Sequence, residues 1–226
     1  MILAIHQPNF LPWAGYFHKI MNSDSFVILD DVDFTKNSVA NRNYVKGPNG
    51  KILLTVPVKK FSLGASYLDV EIDYSADWQR KHLATFEVCY KKSPYFKEIF
   101  SILSSCYGKK CKSLGEFNIV LIEEICKYLG IKTKILRSSP MKLKTKSTER
   151  LVDVCKKIGA SEYLSGLGGK DYMDESLFAN EKIKIVYQGF KHPVYSQLFG
   201  EFMPNLSFVD MLFNIGRDSV RVLKEA

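Results

Sequence analysis

The sequence predicts an α/β fold: a Rossmann-like parallel sheet flanked by helices, with a small antiparallel β insertion and a C-terminal helical segment. Three observations predict it. The chain opens on a short apolar run, Ile2-Leu3-Ala4-Ile5, that passes through a polar loop into an amphipathic helix. From about residue 113 to 165, helix-period and strand-length segments alternate, the pattern of a parallel sheet covered on both faces. Between these regions Asn49-Gly50 marks a hairpin turn. With 226 residues, 46% hydrophobic and 25% charged, the chain suits one domain with a substantial core, residues 1–226, carrying the β insertion at about 35–73.

The first helix is expected from Trp13 to Met21, because Trp13, Tyr16, Phe17 and Ile20 recur at spacings of three and four and share a face. Pro12 suits an opening helix turn, where its missing N–H has no partner to lose. His18 lies off the apolar stripe and reads as solvated. The loop between strand and helix, His6-Gln7-Pro8-Asn9-Phe10-Leu11-Pro12, is polar and stiffened by two prolines. In an open parallel sheet this position is the default ligand crevice, which nominates His6 and Gln7. The competing reading is that both simply hydrogen-bond to loop backbone.

Phe26 to Leu29 has the length of a second strand and runs into Asp30, Asp31 and Asp33. A strand-helix-strand unit makes the two strands parallel, so these carboxylates fall at the same edge as His6. A solvated acidic turn is the plain alternative. The hairpin would join Asn43-Tyr44-Val45 to Lys51–Val58 and carry Arg42, Asn43 and Lys46, of which Arg42 offers a planar fork to a phosphate or carboxylate. Leu68 to Ile72 reads as one more short strand.

Helices follow. Trp78, His82, Phe86 and Cys89 line one face, making His82 either a core residue or a ligand contact. Pro94 opens a helix to about Ser105, and Ser113-Leu114-Gly115-Glu116 has the form of a capping box for a helix that Gly130 stops. A strand over 132–138, a helix from near Ser147 to Gly159 and a strand Glu162–Ser165 come next. The loop beyond, with Ser165, Gly166, Gly168, Gly169 and Tyr172, brings glycine backbone to the carboxyl edge, and a helix starting near Asp174 would point its positive end there. It is neither a Walker loop nor a dinucleotide fingerprint; a flexible turn is the alternative. A strand at 183–187, a polar-aromatic segment with His192 and Tyr195, and a helix capped by Ser207 and closed by Gly216 complete the chain.

A formal net charge of +8 favours an anionic partner. The lysines fall in separated pairs without a nucleic-acid-binding motif, which argues against nucleic acid and for a small anion such as a nucleotide or nucleotide-sugar. The five cysteines form no C-x-x-C pair, and no metal site is expected. No apolar run is long enough to span a membrane and no signal-peptide pattern opens the chain, so a cytoplasmic location is expected.

The run His6-Gln7-Pro8-Asn9-Phe10-Leu11-Pro12-Trp13-Ala14-Gly15-Tyr16-Phe17 resembles the opening of the WbqC-like family, bacterial proteins often encoded with surface-polysaccharide (O-antigen) genes. Asn41-Arg42-Asn43, Leu54–Val58, Tyr163–Gly166, His192–Gln197 and Leu206–Gly216 resemble the same family. The resemblance implies transfer of glycine or another acyl group to the amine of a nucleotide-linked amino sugar. The first loop and helix start are also similar in outline to the nucleotide-binding turn of nucleotidylyltransferases and class I synthetases, with Tyr16 at the place of a second histidine. That similarity implies ATP as cosubstrate, activating a carboxylate. On this reading His6 is the base or a phosphate contact, and Gln7 with the backbone of Gly168 and Gly169 supplies hydrogen-bond donors. Arg42 and Lys46 meet phosphate, Asp30 or Asp31 orients the amine, and Trp13, Tyr16, Asn43, His82, Ser165, Gly166, Tyr172, His192 and Tyr195 line the substrate. A non-catalytic nucleotide-sugar-binding accessory protein and a glycosyltransferase are the competing functions. The sequence selects neither the sugar, the acyl donor nor the oligomeric state.

Overall fold

The computed structural model describes residues 1–226. Its strands are β1 (Ile2–His6), β2 (Ser25–Ile28), β3 (Arg42–Gly47), β4 (Gly50–Thr55), β5 (Lys134–Arg137), β6 (Glu162–Ser165) and β7 (Lys184–Tyr187). Five of them form one all-parallel sheet in the order β5-β2-β1-β6-β7, while β3 and β4 pair antiparallel. Strand residues alternate between two buried faces. Ala4, Phe26 and Ile28 join one core with Phe17, Phe117 and Phe213, and Leu3, Ile5, Val27 and Leu29 join another with Leu151, Val154 and Phe178. Burial on both faces is why these strands read as continuous apolar runs rather than alternating ones.

The helices that cover the sheet are α1 (Ala14–Met21), α2 (Trp78–Tyr90), α3 (Phe96–Gly108), α4 (Leu114–Leu129), α5 (Ser147–Ile158), α6 (Glu175–Asn180), α7 (Phe208–Ile215) and α8 (Ser219–Lys224). Helices α1, α4 and α7 supply the first core, α5 and α6 the second. Their ends follow local chemistry. Ser113 and Glu116 form the expected capping box of α4, Gly130 ends it at φ 68°, and Gly159 ends α5 at φ 75°. Ser207 caps α7, its hydroxyl accepting from the Val209 N–H.

Several expectations need correction. Residues 68–72 are not a strand: Val58–Ile72 and Glu71–Ser113 form only isolated bridges. Their backbone groups go instead to scattered partners, Tyr67 N–H to Val32, Ile72 N–H to Lys112 and Val70 N–H to Ser66. The hairpin turn is Pro48-Asn49, with Gly47 paired to Gly50 and Gly50 at φ 117°. Trp13 is not on the buried stripe of α1 but is its N-cap residue, 37% exposed and edge-on to Phe190 with ring centres 5.2 Å apart. His18 is half-buried rather than solvated: its Nδ1 meets the Gln188 amide at 2.7 Å and its ring packs on Phe190. No helix is long and apolar enough to cross a membrane.

Candidate functional site

At β1 the direction of strand succession reverses: β2 lies on one side and β6 on the other. Loops leaving the carboxyl ends of β1 and β6 must therefore diverge, and the gap they leave is the usual ligand crevice of such sheets. A cavity of about 720 Å³ lies there. Its walls hold His6 and Gln7 after β1, Asp31 and Asp33 after β2, Ser165, Gly166, Gly168, Gly169 and Tyr172 after β6, and Lys19, Lys146, Ser147 and Arg150 from α1 and α5.

His6 is fixed by the turn that follows it. Its Nδ1 donates to the Gln7 carbonyl at 3.1 Å, and the Tyr16 hydroxyl donates to the same oxygen at 3.1 Å. The Tyr16 ring stands edge-on to the imidazole with centres 4.9 Å apart. This holds the proton on Nδ1 and leaves the Nε2 lone pair free. Burial, then the nearby Lys19 charge, lower the His6 pKa to about 4, against the opposing effect of the Gln7 carbonyl. The imidazole is neutral at physiological pH.

Lys19 is 5% exposed, and its ammonium donates to the Ile5 carbonyl at 3.3 Å. Desolvation lowers its pKa to about 8, within reach of neutrality. Opposite, Arg150 pairs with Asp31 at 2.6 Å and donates to the carbonyls of Leu143 (3.3 Å) and Thr145 (3.1 Å).

The rest of the loop scaffold is held by asparagines. Asn118 Nδ2 donates to the carbonyls of both Pro8 and Ala40 at 2.8 Å, and Asn43 Nδ2 donates to the Leu11 carbonyl at 2.7 Å. Asn41 ties the hairpin approach through the Asn37 N–H and the Val56 carbonyl. The prolines alone do not stiffen residues 7–12.

Sequence-predicted residues divide accordingly. His6, Gln7, Asp31, Ser165, Gly166, Gly168, Gly169 and Tyr172 line the cavity, and Tyr16 supports it from behind. Asp30 does not line it: fully buried, it accepts from Ser138 Oγ (3.2 Å), Ser139 N–H (2.8 Å) and Ser139 Oγ (2.8 Å), pinning the turn after β5. His82 is a core residue against Tyr107 (3.1 Å) and the rings of Trp78 and Phe10, with burial lowering its pKa to about 4. Lys46 and Tyr195 belong to a separate buried network. Tyr90 and Tyr195 donate to Asp210 at 2.7 Å each, Gln197 at 2.9 Å, and Lys46 reaches Gln197 at 3.1 Å. Asn43 is a backbone clamp. Trp13, Arg42 and His192 also lie outside the cavity lining, the His192 Nδ1 bonding to the Pro193 carbonyl at 2.9 Å. Helix α6 offers no free N-terminus, because Asp174 caps it through the Ser176 N–H and gives its own N–H to Thr148.

Lys19, Lys146, Ser147 and Arg150 were not anticipated. The usable signal was topological: α5 follows a parallel strand, so its N-terminus returns to the same edge as His6. No cluster of three or more His, Cys, Asp or Glu side chains is placed to hold a metal ion. Four of the five cysteines are buried, and burial raises the Cys126 thiol to about 12.

The model of the WbqC-like protein family matches residues 7–222. Uncharacterized protein Rv1507c of Mycobacterium tuberculosis is 36% identical over 227 residues, an alignment covering 98% of this chain and 97% of that protein. No solved structure matches the chain.

Proposed function

The chain belongs to the WbqC-like protein family, which is linked to polysaccharide biosynthesis, and from that premise we propose that it transfers an aminoacyl or other acyl group to the amine of a nucleotide-linked amino sugar. The observation that carries this reading is the cavity at the strand reversal, where a neutral His6 and a Lys19 whose pKa is lowered to about 8 share one space with Arg150 and Lys146.

Amide formation needs a free amine, donors for the developing oxyanion and cations for phosphate. The Nε2 lone pair of His6 accepts an amine N–H and orients the nitrogen. With ATP as cosubstrate, a carboxylate oxygen of the donor attacks the α-phosphorus, the bond to the β-phosphate breaks, and pyrophosphate leaves an acyl adenylate behind. The amine nitrogen then attacks the acyl carbon, the new C–N bond forms, and the C–O bond to AMP breaks with its electron pair leaving on the phosphate. The fraction of Lys19 that is neutral near pH 8 takes the proton the amine sheds. Gly168 lines the same space and its backbone N–H suits the oxyanion, whereas the Gly169 N–H is taken by the Gly166 carbonyl at 2.9 Å. Asp31 and Asp33 give the amine an acidic wall to approach.

The test is incubation with ATP, glycine and a nucleotide-linked amino sugar, read by mass spectrometry and pyrophosphate release. A glycyl mass added to the sugar, reduced on the order of a hundredfold or more in His6→Ala, supports the reading. Binding of the sugar nucleotide with no adduct and no ATP turnover overturns it in favour of a nucleotide-sugar-binding accessory protein. Release of a nucleoside diphosphate without acylation points to glycosyl transfer instead.

A further inference from the structure

We propose that the N-terminus of α5, with Arg150 and Lys146, is a phosphate subsite that receives the diphosphate of the nucleotide-linked substrate. The proposal deepens the reading above and rests on it only for the identity of the substrate.

Two independent observations carry it. First, α5 is twelve residues long and begins without a side-chain cap: the Lys146 carbonyl at the N-cap position accepts the Arg150 N–H at 3.2 Å, but its side chain offers no acceptor to the first turn. The N–H groups of Ser147, Thr148 and Glu149 have no protein acceptor, and the first turn of any helix leaves such donors and a partial positive charge. The Thr148 hydroxyl is already engaged by the Asp174 N–H, so the side chains do not supply the missing acceptors. Secondly, Arg150 is 8% exposed, lines the same cavity, and carries a buried Nε–H with no partner. A guanidinium that spends one nitrogen on Asp31 and another on two carbonyls still has a donor to place, and leaving it unpaired in the interior is costly. A tetrahedral oxyanion with several acceptor oxygens satisfies both sets of donors at once.

The surrounding charges are compatible. Lys19, Lys146 and Arg150 line the cavity against Asp31 and Asp33, and Asp31 is already matched by Arg150. Glu149 in the first turn is exposed. A phosphate is favoured over a carboxylate because three backbone donors, a guanidinium Nε and a lysine ammonium exceed what two oxygens accept well.

The experiment is isothermal titration of the full chain with inorganic pyrophosphate, with acetate as a second probe, at constant ionic strength. Lys146 is exposed, so Lys146→Ala folds without difficulty and is expected to weaken pyrophosphate about tenfold. Arg150→Lys keeps a charge beside Asp31 but loses the fork, and is expected to weaken it more. Lys144→Ala, an exposed neighbour outside the cavity, leaves affinity unchanged. Equal affinity in wild type and Lys146→Ala, an equal loss in Lys144→Ala, or acetate binding as tightly as pyrophosphate would each overturn the subsite. Because no turnover is measured, failed acyl transfer together with the expected binding pattern removes the reaction and keeps the subsite.

Discussion

The Arg150 guanidinium meets the Asp31 carboxylate at 2.6 Å with the two side chains 9% and 22% exposed, joining α5 to the end of β2 across the cavity floor. Removing one partner leaves the other charge uncompensated in a place with little water. Asp31→Ala is therefore expected to cost on the order of 3 kcal/mol. In a double-mutant cycle, Asp31→Ala with Arg150→Met should cost clearly less than the two single changes added, and strict additivity in urea titrations would show that the pair is not coupled.

Lys19 gives a pH dependence with a defined sign. Its folded pKa of about 8 lies below the usual 10.5, so between these values the unfolded chain holds more protons and stability rises with pH. Below pH 8 both states are protonated and the full cost of burying the charge is felt. Lys19→Met should raise stability at pH 7 by up to about 3 kcal/mol, lose that advantage towards pH 10.5, and abolish acyl transfer. Urea midpoints at pH 7 and 10 check the first part, and an unchanged difference between those pH values would contradict it.

His6 and His82 work in the opposite range. Each has its pKa lowered to about 4, so from pH 6.5 down towards 4 the unfolded chain takes up protons that the folded chain refuses, and stability falls with acid. An NMR titration should show both imidazoles still neutral at pH 5.5. The wild-type profile of kcat/KM should likewise show no histidine limb above pH 5, and should rise through an ionisation near pH 8 as Lys19 loses its proton.

The amide of Asn118 carries two loop carbonyls at once. Asn118→Leu leaves both Pro8 and Ala40 oxygens buried without a donor, for an expected loss of about 2–4 kcal/mol. Hydrogen exchange should show faster exchange at the Phe10 N–H, which bonds to the Val39 carbonyl at 3.0 Å; unchanged protection there would mean that the prolines suffice.

The strand-helix-strand units at each end of the sheet were legible because periodicity and capping signals agree there: Ser113, Gly130, Gly159 and Ser207 each end or begin a helix as their chemistry implies. Half the cavity was legible for a single reason, that residues after parallel strands share an edge, which nominated His6, Gln7 and the loop from Ser165. Lys19 and Arg150 were not, since a charged residue on an amphipathic helix ordinarily faces water. Their burial depends on β6 lying beside β1, a neighbourhood no local window contains. The same reason hid the fate of Lys46, whose partner Gln197 is distant in sequence, and of Asp30, claimed by Ser138 and Ser139, while Tyr195 is taken by Asp210 from the helix that follows it.

Strands β2 and β5 are hydrogen-bonded neighbours, yet β2 ends at Ile28 and β5 begins at Lys134, with the hairpin and three helices between them. Closing so long a loop must precede the contacts that repay it, and chains dominated by such pairings fold slowly. On the ribosome, β1 and β2 emerge early but wait for β5 and β6 before either has its outer neighbour, leaving apolar strand edges open during synthesis. The intervening α2 to α4 layer, rich in short-range helical contacts, is then the part expected to take shape first and to present the surface on which the sheet assembles.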